Sequence, residues 1–462
     1  MAPRVVIVGG GLGGLECGVL LQRNGCDVSI IEKNSQAGGC LGSFSRGGLR
    51  FDTGFHYAGS LGRGEALSVL LEYMGAGGLP WQRLDPDCSD EVVIDGDSFP
   101  MASGHETFAE RLGALFPSER KSLEEYASLL KVVGDGIFKA FCGGGTDRLF
   151  STGAQEYLDA KFKDPLLKKV LCGAFMRYEM TPSLPLYPFA QINDSFVRSS
   201  WRLSGGGAVL SGRLEEEFLR LGGTLTAGTA VTEVHVSGDR ADYVAAGPER
   251  FDADLVVSDL HPSVFFPLVA PASSLRKTYR DRISSLDNTG GVFTANIVLK
   301  PGKVRYLDRN IFIHSGGDKV MVHFYPVPQG SMATHLDLIS PMPYVSPDSP
   351  GYGEAKLSML ERCLSLACSR LPELRDSVSA VYTSSPSTYQ RFTGTPGGSA
   401  FGIRKDFTRP LETVLSPRTP LRNVFLTGQN LNLHGILGVS MTSVLTCMEI
   451  LGRDSLSLPK LR

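Results

Sequence analysis

Short, uniformly apolar runs open this 462-residue chain, in place of an alternating or heptad pattern. Arg4–Val8 and residues 28–32 are β-branched runs of the kind that form strands buried on both faces. Between them, residues 15–24 carry apolar side chains at helical spacing and stop at Asn24-Gly25, a helix-ending pair. Strand, turn, helix and strand within about thirty residues form the unit of a doubly wound parallel sheet.

The pattern then changes. Residues 105–180 read as largely helical, and 118–140 predict an amphipathic helix with a capping-box start at Ser118, where Lys121 replaces the usual acid. A glycine turn at 204–208 precedes a helix over 209–221, a strand-like stretch over 224–236 and a buried strand over 253–258. Gly291–Leu299, 310–314, 319–325 and 334–339 read as antiparallel strands. A helix over 354–371, a short strand over 423–427 and a helix over 438–451 complete the chain.

Nucleotide-type elements thus recur at both ends and in the middle. The expected class is α/β, with a Rossmann-like cofactor domain discontinuous over residues 1–70, 195–265 and 405–462. The inserted α+β substrate domain takes residues 71–194, largely helical, and 266–404, with the antiparallel sheet.

Composition narrows the function classes. Hydrophobic residues make up 42% and charged residues 20%, a soluble globular balance. With 46 basic and 48 acidic residues, the chain lacks the basic footprint of a nucleic-acid binder, so no nucleic-acid partner is expected. Nine scattered cysteines without a Cys-x-x-Cys pair predict reduced thiols. No His, Cys, Asp and Glu cluster has metal-ligand spacing along the chain, so no metal is expected, and His314 and His323 read as structural. The first strand begins at about Arg4, which leaves no room for a leader peptide, and no apolar run reaches the ~18 residues of a membrane span. The expected location is cytoplasmic, with peripheral membrane contact through the apolar and basic surface of 118–180 as an option, against a plain solvated basic face.

The chemistry starts at Gly9-Gly10-Gly11-Leu12-Gly13-Gly14, a G-x-G-x-x-G turn between strand and helix. Gly9 permits the turn, Gly11 lets the backbone approach a pyrophosphate, and Gly14 lets helix and strand close together. The helix N-terminus then offers free N–H groups and a favourable dipole to the anion. Glu32, 23 residues after Gly9, ends the second strand, where its carboxylate would accept hydrogen bonds from a ribose diol. A second glycine-rich turn, Gln36-Ala37-Gly38-Gly39-Cys40-Leu41-Gly42-Ser43, is unnecessary for NAD but suits the longer, buried FAD.

The arrangement Glu32-x5-Gly38-Gly39-x3-Ser43 resembles the two-dinucleotide-binding flavoproteins related to amine oxidases and phytoene desaturases. Phe51-Asp52-Thr53-Gly54-Phe55-His56-Tyr57-Ala58-Gly59 and Phe425-Leu426-Thr427-Gly428-Gln429 resemble its retinol saturase and carotenoid isomerase branch. Ile436-Leu437-Gly438-Val439 is similar to the helix start that meets the flavin ring in that family. The resemblance implies that Gly9, Gly11, Gly13 and Gly14 take the pyrophosphate, Glu32 the ribose, and Gly39 and Ser43 the length of the cofactor. It further implies a backbone contact from Val231 to the adenine, Gly428 and Gln429 at the ribityl phosphate, and Gly438 and Val439 at the pyrimidine end of the flavin. The stretch 430–434 departs from the vertebrate retinol saturases.

His56, Tyr57 and His434 are the candidate catalytic residues: they would border a substrate cavity, and one would exchange a proton with a polyene carbon. A packed His-Tyr pair and a loop or capping histidine are the plainer readings. Asp259, Arg46, Tyr389 and the run 397–402 are weaker candidates for cofactor or cavity contact, and His261-Pro262 reads as a turn. The expected function is an FAD-dependent oxidoreductase acting on carbon–carbon double bonds of an apolar polyene or isoprenoid. Saturation comes first, isomerisation and desaturation next, and NAD(P)H is a candidate electron donor. A flavin amine oxidase and a non-catalytic prenyl-binding escort protein are the rivals.

Overall fold

The computed structural model describes residues 2–137, 147–328, 330–452 and 456. Its cofactor-type sheet has five parallel strands in the order Thr224–Thr226, Asp27–Ile31, Arg4–Val8, Leu255–Ser258 and Val424–Leu426. Val5, Val6, Ile7 and Val8 are all buried, as a strand covered on both faces requires. The chain is α/β and Rossmann-like, as its pattern predicts.

The first helix is Leu12–Arg23, three residues longer at its start than the periodicity implies. Gly13 and Gly14 are poor helix formers, but packing overrides propensity here. A Cβ on Gly14 would sit 2.0 Å from the Gly9 carbonyl oxygen, so only glycine lets the helix lie this close to the strand. The last helix also begins earlier than expected, at Gly435, and runs to Leu451. The first helix packs between this helix and Gly207–Arg220.

The stretch over 224–236 divides into two strands. Thr224–Thr226 joins the parallel sheet, while Val231–Ser237 enters a separate four-stranded sheet with Arg240–Ala246, Glu249–Asp252 and Val269–Ala270. The proposed capping box does not form: Ser118 lies in the turn Pro117–Glu119 and the helix runs Arg120–Asp135 without a side-chain cap. Lys121 carries no oxygen to accept the reciprocal bond. The expected end of that helix, Ala140, lies outside the described residues.

A seven-stranded sheet forms the second layer system. Its order is Val378–Ser384, Gly291–Leu299, His335–Met342, Asp318–Phe324, Asn310–Ser315, Asp90–Ile94 and Asp97–Met101. Two of its strands, Asp90–Ile94 and Asp97–Met101, come from the 71–194 part of the expected substrate domain, ahead of the stretch read as helical. Alternation separates its faces: Val92, Phe312, Met321 and Ile339 pack on the helical layer. Val93, Ile311, Val322 and Leu338 pack on the opposite side, towards the helix Tyr352–Arg370.

Candidate active site

A cavity of about 460 Å³ runs from the glycine turn of the parallel sheet to the helical layer and the seven-stranded sheet. Gly9, Gly11, Gly13, Glu32, Gly39, His56, Tyr57, Val231, Gln429, His434, Gly438 and Val439 all line it. Three other expected residues stand off the wall. Gly14 packs behind the turn, Gly428 lies against Gly13 and Asp259, and Ser43 begins the hairpin Ser43–Arg46 with Leu49–Asp52. Arg46 is exposed in that hairpin, where its guanidinium donates to the Ser45 carbonyl.

The nucleotide end fits FAD on the chemistry of its donors. The first helix has Gly11 at its N-cap, which has no side chain of its own to cap it, so the helix end opens on the cavity beside the Asp259 carboxylate that meets the Gly11 and Gly14 amides. Gly39 has φ of 56°, and a Cβ there would lie 3.2 Å from Gly11 Cα, so the second glycine turn closes directly on the first. Glu32 is buried and fixed from both sides: one carboxylate oxygen accepts from the Gly10 amide at 2.8 Å, the other from the Asn34 amide and side chain at 2.8 Å each. That leaves acceptor capacity aimed at the cleft, as a ribose diol requires.

Asp259, just after Leu255–Ser258, reaches into the same cradle. A Cβ on Gly11 would meet its carboxylate at 2.3 Å. Burial raises its pKa to about 7, against the Gly11 and Gly14 amides, which favour the charged form, and with the Glu32 charge, which disfavours it. Behind the turn, Glu16 is buried and accepts hydroxyl hydrogen bonds from Ser440 at 2.6 Å and Ser443 at 2.9 Å. Its pKa rises to about 8 through burial.

The other end of the cavity is apolar and aromatic, with Leu41, Phe55, Met176, Ile192, Val292 and Phe401 among its walls. Tyr57 does not present a free hydroxyl. Its oxygen accepts from Arg177 Nε at 2.9 Å, and burial holds its pKa far above the phenol range. Arg177, buried and ion-paired with Asp90, lies over the Phe196 ring at 4.3 Å. His434 N-caps the last helix; its Nε2 pairs with the Arg177 carbonyl at 2.7 Å and its ring packs on Phe401. Burial lowers its pKa to about 4, so it is neutral at pH 7. Tyr389 also lines the cavity, with its hydroxyl bound to Thr294. His261 does more than turn the chain: it lines the cavity, caps the helix Pro262–Phe265 and bonds Asn288 at 2.8 Å.

Sequence reasoning missed three charged groups. Arg177 stands inside the apolar run Phe175-Met176-Arg177-Tyr178, and that contrast was its one local signal. Lys405 is buried, donates to the Asn430 and Thr413 carbonyls, and has its pKa pulled down to about 7 by burial. Asp337, with His323 and His56, forms the third group. One ligand atom from each lies within 4.8 Å of the others, a set that could hold a metal ion and that spacing along the chain does not show.

The basic side chains Lys161 and Lys168 are ion-paired with Glu125 and Asp159. Among the described residues, no helix is long and apolar enough to cross a membrane. The eight cysteines among those residues are all free.

The model of the NAD(P)-binding Rossmann-like domain matches residues 7–74. The chain is 23% identical to the all-trans-retinol 13,14-reductase of Rattus norvegicus, over 97% of this chain and 86% of that protein. It is 25% identical to the 4,4'-diapolycopene oxygenase of Methylomonas sp over 60% of each chain. The structure of a putrescine oxidase bound to putrescine superposes with a TM-score of 0.69, covering 98% of this chain and all of the other at 16% identity. The similarity to the retinol reductase over nearly the whole chain and to the carotenoid oxygenase over 60% of it bears out the resemblance to the retinol saturase and carotenoid enzymes, and the superposition shows the shared fold.

Proposed function

We propose that this protein is an FAD-dependent oxidoreductase that acts on carbon–carbon double bonds of an apolar polyene, most directly by saturating one of them. The carrying observation is the continuous cavity. A glycine-lined nucleotide cleft opens without a break into a chamber walled by apolar and aromatic side chains. The similarity to a retinol 13,14-reductase over nearly the whole chain supports the same reading.

FAD supplies a two-electron redox centre when it is bound. The chain's own residues supply the rest. Gly9, Gly11 and Gly13 bring backbone N–H groups to the pyrophosphate, and Glu32 holds the ribose. The N-terminus of Gly435–Leu451 brings Gly438 and Val439 to the cavity wall, where its dipole favours the negative charge that reduction adds. Phe401, Val292 and Met176 exclude water and hold an apolar chain by contact alone. Tyr57, locked by Arg177, shapes the wall. The division into a cofactor domain and an inserted substrate domain belongs to this proposal, as does NAD(P)H as donor.

The purified protein is expected to be yellow and to release FAD on heating. Photoreduced without oxygen and mixed with retinoids or longer polyenes, it should return product two mass units heavier, with reoxidised flavin. Colourless protein, or reduced flavin that no polyene reoxidises, overturns the proposal. Peroxide release with amines alone would favour an amine oxidase.

A further inference from the structure

A buried polar row crosses the cavity-side face of the seven-stranded sheet. Asn296, Asp337 and His323 are cross-strand partners, Asn296 with Asp337 and Asp337 with His323. Alternation puts His323 and Asp337 on the face shared by Met321 and Ile339, while Val322 and Leu338 point to the opposite core. Such a face is normally apolar when covered, so three polar residues in register need a reason. His56 closes the row from the loop after Phe51. Its ring centroid is 5.3 Å from that of His323, and it lines the cavity.

At one end of the row the carboxylate is paired at both oxygens, although the Asn296 Oδ1 beside it has no partner. The Asp337 carboxylate accepts from Asn296 at 2.6 Å and from the Tyr325 hydroxyl at 2.6 Å, and Tyr325 accepts the Asp52 amide at 2.9 Å. At the other end His56 Nδ1 is buried without a hydrogen-bond partner, and the His323 ring, with its Nδ1 3.7 Å from Asp337, meets only the His56 backbone, in a contact too poor to count as a full hydrogen bond. Leaving such buried groups unpaired carries the desolvation penalty with nothing to offset it. A purely structural row would pair them, whereas groups that pass a proton on leave them open to each other and to the substrate.

We propose that His56 delivers the proton when a substrate double bond is saturated, and that His323 and Asp337 are positioning residues that reload it. The inference rests on the saturase reading. Saturation adds a hydride and a proton across the bond. The hydride comes from reduced flavin, which a two-electron donor of the nicotinamide class regenerates. The π pair then forms a C–H bond to the proton of protonated His56, and the N–H pair stays on the imidazole. His323 passes on a replacement proton from the Asp337 side, and water restores it.

Burial shapes the row electrically. It lowers the His56 pKa to about 3, so the imidazolium is a strong acid once formed, and it holds that of His323 well below the usual imidazole range. Burial raises that of Asp337, so its carboxyl holds a proton more readily than a free one does. The charged neighbours are Arg202, which opposes charge on His323, His335, which also opposes it, and Asp52, whose carboxyl burial raises to about 7. Two imidazoles and a carboxylate also make a cation's donor set. Both Asp337 oxygens are already engaged by Asn296 and Tyr325, which favours the proton.

The test uses FAD-loaded protein with 15N-labelled histidine. Asp337→Asn should change the ring shifts and tautomer of His56, although the two side chains belong to different elements. In reduced enzyme mixed with polyene, His56→Gln should lower kcat about 100-fold or more with little change in KM, and Asp337→Asn should shift the pH profile while Asp337→Glu restores it. Tyr325→Phe loosens the same carboxylate and serves where Asp337→Asn does not fold. Unmoved His56 resonances, or a stoichiometric metal that His323→Gln abolishes, overturn the relay. Coupled resonances in an enzyme that leaves every polyene intact overturn the saturase reading and the delivery role with it.

Discussion

Asp259 shows how one side chain sets the terms of cofactor binding. Its carboxylate occupies the anion-binding end of the first helix, and its pKa is raised to about 7, chiefly by burial. Below that pH it is neutral and shares the glycine cradle with a pyrophosphate. Above it, a negative charge stands beside the phosphates in a water-poor site. FAD affinity is therefore expected to fall as pH rises through about 7, by up to about tenfold per pH unit. Asp259→Asn keeps the shape without the charge and should flatten the profile. Flavin fluorescence titrations between pH 6 and 9 decide this, and equal slopes for both proteins would refute it. Legibility at this scale was uneven. Glu32 was readable because strand, turn and helix lie within one short segment. Asp259 offered only its place after a buried strand, and its approach to Gly11 depends on strand order.

At the scale of elements, the first and last helices are joined by a buried polar clamp. Glu16 on Leu12–Arg23 holds Ser440 and Ser443 on Gly435–Leu451. Burial raises its pKa from 4.5 to about 8, so the folded protein holds a proton there that the unfolded chain gives up at neutral pH. A raised carboxyl pKa means that its contribution to stability is full below about 4.5 and fades as pH rises towards about 8. Glu16→Gln should remove that part of the slope in thermal melts between pH 5 and 8. Glu16→Ala should cost about 2–5 kcal/mol near pH 4.5, since it leaves a cavity and two unpaired hydroxyls, and progressively less as pH rises towards about 8. A Glu16→Gln slope as steep as that of the wild type would disprove this. The same two helices explain the misplaced starts. Periodicity registers apolar side chains, whereas Leu12 and Gly435 begin helices whose first turn is glycine-rich and shaped by packing.

Across the whole molecule, the cavity has a neighbour. A second chamber of about 560 Å³ adjoins it and shares Met176, Val292 and Phe401 as a common wall. Its far side carries Lys319 over the Phe175 ring, together with Glu179. A polyene longer than a retinoid would have to pass these three side chains. Val292→Trp is expected to lower kcat/KM for long carotenoid-type polyenes about tenfold or more while sparing retinoid-length ones. Equal losses for both lengths would place the chain's path elsewhere. Local patterning alone established the first two parallel strands, the glycine turn with Glu32 and the second turn at Gly39, because each rests on contacts within a few dozen residues. It also placed His56 next to Tyr57, but not what either meets. That Tyr57 is locked by Arg177 follows from a loop 120 residues on, and that His56 faces His323 and Asp337 follows from strands more than 250 residues away in the chain. Cross-strand register and the burial that shifts proton affinities exist only once the sheets have closed, so no spacing along the chain could have announced them.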